Sequence, residues 1–257
     1  MRIVTWNVLG LTGYPAAVSE ADIGRPGTAP NSQHFTGVFG GLDADVIALQ
    51  EGVTHPIARD IARRMGRHLA TFPSPQSWPG HVLSRFPIVE SRTFSHAVAD
   101  DGLPCFSRTA GAALLQVSDD KRLWVVCIHL HPGDVELRAR EGEMLRERLE
   151  GLLPDCVNAV VLGDFNCDVS EPIHQHLADL GFLNAMATAG GGLQLTMDTA
   201  GIKPWKIDHI YLSPALGTCA SAAAVIRDAG FRTDPPRPEA SWDHSDHLPV
   251  RVDLTWP

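Results

Sequence analysis

Short apolar runs that carry a polar residue at one end recur along the chain, and they limit its fold more than any other feature. Asn7 follows Ile3-Val4-Thr5-Trp6, and Glu51 follows Val46-Ile47-Ala48-Leu49-Gln50. His129 follows Val125-Val126-Cys127-Ile128, and Asp164 and Asn166 follow Val160-Val161-Leu162-Gly163. Asp208 lies within Lys206-Ile207-Asp208-His209-Ile210, while Asp246 and His247 precede Leu248-Pro249-Val250. Runs this short, rich in Val, Ile and Leu and bounded by Gly or Pro, read as buried strands. If their ends meet, they gather carboxylates, amides and imidazoles at one rim of the sheets, where sites on layered α/β folds commonly lie.

The pattern predicts strands at residues 2–6, 45–50, 81–84, 110–117, 123–129, 159–163, 206–213 and 248–254. Helices separate them. Thr54 is placed to cap one that has Pro56 in its first turn, an i, i+4, i+8 stripe of Ile57, Ile61 and Met65, and Gly66 as its stop. Residues 134–153 open on acidic side chains and align Leu145, Leu149 and Leu152 on one face. Ser170 is placed to cap 172–180, with Gly181 as the stop. Residues 10–32 and 227–244 read as long loops, the second containing Asp234-Pro235-Pro236-Arg237-Pro238 and Trp242. Without repeat, linker or low-complexity tail, residues 1–257 read as a single catalytic domain. Strands so close in sequence favour a mixed sheet or a sheet pair over a simple parallel wind.

Composition narrows the partners. The 257 residues include 21 Lys+Arg and 30 Asp+Glu, so the formal net charge is −9. Broad, sequence-blind binding to nucleic acid or anionic membrane usually needs a basic surface. Cys105, Cys127, Cys156, Cys167 and Cys219 are odd in number and form no CxxC pair, which favours a reducing compartment and a cytoplasmic location. The strand expected at residues 2–6 leaves no room for a signal peptide, and no apolar run reaches the roughly 18 residues of a membrane span. Twelve His is many for this length and hints at site chemistry.

The polar set at the strand ends suits metal-assisted hydrolysis of a phosphate ester. Mg²⁺, with Mn²⁺ as an alternative, takes carboxylate and amide oxygens. It neutralises charge on the phosphate and its leaving group. A further carboxylate can accept a proton from water, and an imidazolium can stabilise the five-coordinate phosphorane. A strand-end Asp or Asn by itself is ordinarily a turn or cap residue, so the argument rests on the set.

In order along the chain, Thr5-Trp6-Asn7, Leu49-Gln50-Glu51, Leu83-Ser84-Arg85-Phe86-Pro87-Ile88, His129-Leu130, Gly163-Asp164-Phe165-Asn166, Ile207-Asp208-His209-Ile210 and Ser245-Asp246-His247-Leu248-Pro249-Val250 resemble the motifs of the endonuclease/exonuclease/phosphatase superfamily. The resemblance runs nearly end to end. It implies a DNase I-like four-layer α/β sandwich, in which two packed, mostly antiparallel β-sheets are flanked by helices. It also implies roles. Glu51 is the principal metal ligand, with Asn7 and Asp246 beside it. Asp164 orients or deprotonates the attacking water, and Asn166 helps position it and the phosphate. His247, paired with Asp208, contacts the scissile phosphate, and His129 contacts it from another side. Attack is in line, without a covalent intermediate.

Leu9 stands where some nucleases of this family carry an acidic residue, which weakens a two-metal or repair-nuclease reading slightly. The expectation is therefore a monomeric, divalent-metal-dependent phosphoesterase acting on a small or lipid-like phosphoester. An endo- or exonuclease, or a DNA-end repair phosphodiesterase, is the alternative. A catalytically dead binding module on the same fold comes third, because the motif set is complete. Arg108 and Arg138, around the His129 strand, are candidates to reach the substrate phosphate. His131, His209 and His244 flank motif residues and are candidates to extend the site. Trp78, Trp205 and Trp242 are candidates either to stack on a substrate or to anchor loops. Arg59, Arg63 and Arg67 read as a solvated helix face.

Overall fold

The computed structural model describes residues 1–14, 29–75, 77–95, 106–198, 204–227, 231 and 243–256. Most of the loop expected at 10–32, most of 227–244, Trp242 and Cys105 lie outside the described residues.

Two six-stranded sheets form the frame. The first runs β13 (Ala220–Val225), β14 (Val250–Leu254), β1 (Arg2–Asn7), β2 (Val46–Gln50), β4 (Gly80–Ser84), β3 (His68–Phe72). The second runs β5 (Ile88–Thr93), β6 (Thr109–Ser118), β7 (Lys121–His129), β8 (Ala159–Asp164), β12 (Asp208–Leu212), β9 (Leu183–Asn184). A two-stranded ribbon joins β10 (Met197–Asp198) to β11 (Pro204–Trp205). Each six-stranded sheet has one parallel pair, β1/β2 and β7/β8, and is otherwise antiparallel. This is the expected α/β sandwich.

Period-2 alternation sorts the second sheet's side chains between two cores. Val125, Cys127, Val160, Leu162, Ile210 and Leu212 join the core shared with the first sheet. Trp124, Val126, Ile128 and Val161 instead pack with Leu145, Leu149, Leu152 and Leu177 from the helices Val135–Leu152 and Pro172–Asp179. The His55–Met65 helix covers the first sheet with Ile61 buried and Ile57 and Met65 packed on the core. Gly66 ends it in the left-handed region at φ 63°, where lacking a Cβ is an advantage. Among the described residues no helix is long and apolar enough to cross a membrane.

The departures are local. Ala29–Gly41 is helical, so the long loop is shorter than expected; Phe35 and Phe39, one turn apart, both pack against Trp6. Asp134 caps its helix by accepting from Leu137 N (2.9 Å), as expected, but Thr54 makes no side-chain cap bond. The cap residue before Pro172 is Glu171, not Ser170. Arg67 lies past the end of its helix and donates to Ala44 O and Asp45 O, so it ties chain segments rather than extending a solvated face.

Candidate active site

Strand pairing brings the expected residues together. In the first sheet the parallel register sets Asn7 beside Gln50, so Glu51 emerges next to it. In the second, the parallel β7/β8 register sets His129 beside Asp164, and antiparallel β8/β12 sets Asp208 beside Asp164. Gly163 permits the close approach: its φ is 144°, and a Cβ there would lie 1.9 Å from Ile128 O. Ser245 ties the segment before β14 to the end of β1 by donating to Asn7 O (2.7 Å) and accepting from His247 N (3.2 Å). Trp6 Nε1 donates to His247 O (3.0 Å).

Asp164 is the hub. Its Oδ2 accepts from Asn7 Nδ2 (2.9 Å) and lies 3.5 Å from His129 Nε2 and 3.8 Å from His247 Nε2. Its Oδ1 accepts from Asn166 N (2.9 Å). Burial raises its pKa above the usual carboxylate range, against the pull of the nearby histidines and the Asn7 bond. His247 Nδ1 bonds Asp208 Oδ2 at 2.9 Å. Burial opposes the charge on that imidazole, but the carboxylates of Asp208 and Asp164, joined by Asp246, hold its pKa well above the ordinary value. His129 is the opposite case: burial lowers it to about 4, so its imidazole is neutral at pH 7. Two histidines around one carboxylate thus differ in charge because their surroundings differ.

Glu51 approaches the same nitrogen of His129 as Asp164 does. Its Oε1 is 3.7 Å from His129 Nε2 and 3.4 Å from Arg108 Nη1. Burial pushes its pKa up to about 7. Its Oε2 is buried without a hydrogen-bond partner. Such an oxygen is costly unless something outside the protein meets it, and with half-buried Asp246 nearby it suits a hard cation. Asp164, Asp208 and His247 also offer ligand atoms within 4.8 Å of one another. That trio suits a cation less well, because a protonated imidazole has no lone pair to give. Glu51 and Asn166 both hold positive φ, 49° and 53°. Side chains other than Asn and Asp rarely adopt that backbone.

Arg108 reaches the cluster, its Nη1 lying 3.1 Å from His129 Nε2 and its guanidinium 5.8 Å from the Trp78 ring. Arg138 does not. It is buried, forks onto Glu171 at 2.6 and 2.9 Å and donates to His131 O, so its charge is already spent. Asn166 directs Nδ2 to Leu130 O (2.9 Å). Nor are the flanking histidines drawn in. His131 Nδ1 accepts from Gly133 N and Asp134 N in a turn. His209, on the opposite face of β12 from Asp208, packs on Phe165, His174 and Tyr211. His244 packs on Trp6, Phe35 and Phe231. Sequence reasoning passed over Ser245 and Thr196, whose hydroxyl accepts from Ile207 N and Asp208 N. Ser245 was legible as the neighbour of Asp246; Thr196 carries no local signal.

This fold, with buried carboxylates and histidines at one rim of a sheet pair, defines a class of phosphate-ester hydrolases. The chain matches the Endonuclease/Exonuclease/phosphatase family over residues 4–247 and belongs to it. Among curated proteins none matches the chain. Its fold is similar to that of a functionally unknown conserved protein from Enterococcus faecalis (17% identity, 99% of each chain, TM-score 0.73). It is similar too to the 3' phosphatase NExo from Neisseria, solved bound to product DNA hairpin (20%, 100% of each chain, TM-score 0.71). A third likeness is to a mannosyl-6-phosphatase from Bacteroides thetaiotaomicron (16%, 100% of each chain, TM-score 0.72). At these identities the likeness is one of fold.

Proposed function

We propose that residues 1–257 act as one monomeric catalytic unit that hydrolyses a small or lipid-like phosphoester by in-line attack of water. The observation that carries this reading is the hub at Asp164, a buried carboxylate of raised pKa facing one neutral and one charged imidazole. In this reading Asp164 takes the proton of the attacking water as its oxygen bonds to phosphorus. The ester oxygen leaves with the bonding electron pair. His247, charged and held by Asp208, stabilises the phosphorane, while neutral His129 and Arg108 hydrogen-bond the phosphate from the other side. Asn7 keeps Asp164 oriented, and Asn166 fixes the rim through Leu130 and Asp164. Glu51 and Asp246, with Asn7 beside them, would hold a divalent cation such as Mg²⁺ or Mn²⁺, which when bound neutralises charge on the non-bridging and leaving oxygens.

Cys127, Cys156 and Cys167 are buried free thiols, which supports a reducing, cytoplasmic setting. A nuclease is the second reading, favoured by the likeness to the DNA-bound 3' phosphatase. The net charge of −9 weighs against it.

The test is turnover of p-nitrophenyl phosphate, bis-p-nitrophenyl phosphate and supercoiled plasmid by protein stripped with EDTA, then given Mg²⁺ or Mn²⁺. Cation-dependent release from one of the small esters, with little plasmid nicking, is expected. Plasmid nicking that outpaces both esters would favour the nuclease. Inertness toward all three would overturn the phosphoesterase reading.

A further inference from the structure

The helix Val135–Leu152 turns Arg138, Glu141, Gly142, Leu145, Leu149 and Leu152 inward. Two charged residues head a stripe that is otherwise apolar below them. Glu141 is fully buried, and a buried carboxylate is tolerated only where hydrogen bonds meet it. Here they do. Its Oε1 accepts from Ser107 N (2.7 Å) and Ser107 Oγ (2.6 Å), and its Oε2 accepts from His131 N (3.1 Å). Ser107 adjoins Arg108, and His131 lies two residues past His129. One carboxylate therefore ties together the two segments whose side chains meet at 3.1 Å in the cluster. Arg138 secures the second segment from the same helix by donating to His131 O (2.8 Å).

We propose that Glu141 is a positioning residue that sets Arg108 against His129 and Glu51 for the substrate phosphate, an inference that rests on the phosphoesterase reading for its kinetic consequence. Replacing a buried charged group by apolar packing is often neutral or stabilising, so stability alone is a weak reason for a glutamate at this place in a leucine stripe. Geometry is a better one. Arg108 lies between two anchors. On one side Ser107 is held by Glu141. On the other, Thr109 pairs with His129 across β6/β7 and donates to Trp78 O (3.1 Å). The guanidinium stands over the ring of Trp78. Release of the Ser107 anchor frees the backbone next to Arg108 while the strand pairing stays intact.

Glu141→Gln keeps the shape but turns one acceptor oxygen into a donor facing an N–H, which breaks one side of the tie. The test uses full-length protein labelled with 5-fluorotryptophan, in which the Trp78 ¹⁹F resonance is assigned by its loss in Trp78→Phe. Glu141→Gln should move that resonance in the direction that Arg108→Ala moves it. It should also raise KM for the small ester by roughly 10-fold, more than it lowers kcat, as expected for a weakened charge-assisted contact. In an Arg108→Ala background Glu141→Gln should change KM by less than about twofold, because it acts through Arg108. Ser107→Ala, which removes only the hydroxyl bond, should shift the resonance the same way by less, and serves if Glu141→Gln does not fold. An unmoved Trp78 resonance, or a KM effect that multiplies in full with that of Arg108→Ala, would overturn the proposal. The fluorine signal needs no turnover, so an inert wild type would sink the phosphoesterase reading and leave the placement of Arg108 to be decided by the resonance.

Discussion

Asp208 shows how much one residue decides. Its carboxylate bonds His247 Nδ1 at 2.9 Å and is a main reason that imidazole keeps its proton despite burial. Asp208→Asn removes the charge and keeps the shape, so the His247 pKa must fall. If the imidazolium is needed, kcat is lost as pH rises through that pKa, and the alkaline limb of the kcat profile should move to lower pH in the variant. A limb that stays in place would separate His247 from the rate. His247→Ala removes the group itself and should lower kcat by roughly 10² or more, the scale of one lost charge-stabilising donor. Steady-state kinetics on variants with wild-type melting temperature check both. At this scale the sequence was informative where chemistry and position coincide. Asn7, Glu51, His129, Asp164 and Asp208 each stand at or beside a strand end, His247 lies three residues before β14, and all reach the cluster. It was uninformative where a charge had a rival partner. Arg138 looked as available as Arg108, and only the fork to Glu171 tells them apart.

At the scale of elements, the rim depends on the β7/β8 spacing. Gly163 pays no steric cost at φ 144°, whereas any Cβ there meets Ile128 O. Gly163→Ala should therefore destabilise the protein by roughly 3 kcal/mol, combining backbone strain with overpacking. Urea unfolding measures it, and a loss below about 0.5 kcal/mol would mean that the strands part without cost. Many elements with a buried stripe were legible, among them the central strands and three helices at 55–65, 135–152 and 172–179. Those that escaped have a short or weak apolar stripe, or none. Ile88–Thr93 is an edge strand with hardly a buried side chain. Ala220–Val225 is mostly Ala and Ser, poor strand formers that pairing with β14 holds in place. Ala29–Gly41 carries three glycines and declares itself only through Phe35 and Phe39 beneath Trp6.

For the molecule as a whole, buried histidines set the response to acid. Burial lowers His81, His129 and His174 to about 4 and His209 to about 3. Between their unfolded pKa near 6.5 and those values, the unfolded chain binds protons that the folded chain does not, so stability falls as pH falls. Glu51, Asp164 and His247, all with raised pKa values, oppose this because they bind protons in the folded state, but with His34 also lowered by burial they are three against five. The melting temperature should drop from pH 7 to pH 5, each net proton weighing about 1.4 kcal/mol per pH unit; a flat or rising profile would contradict the burial of these rings. The catalytic account spans the whole molecule too, since both sheets must close for Asn7 to meet Asp164. Its most direct test is kcat for the best small ester with Asp164→Asn against wild type, both stripped and reloaded with the same cation. A fall of roughly 10² or more in a variant that still melts as a folded protein is predicted, because the amide cannot take the proton of water. Turnover within a few-fold of wild type would contradict the account.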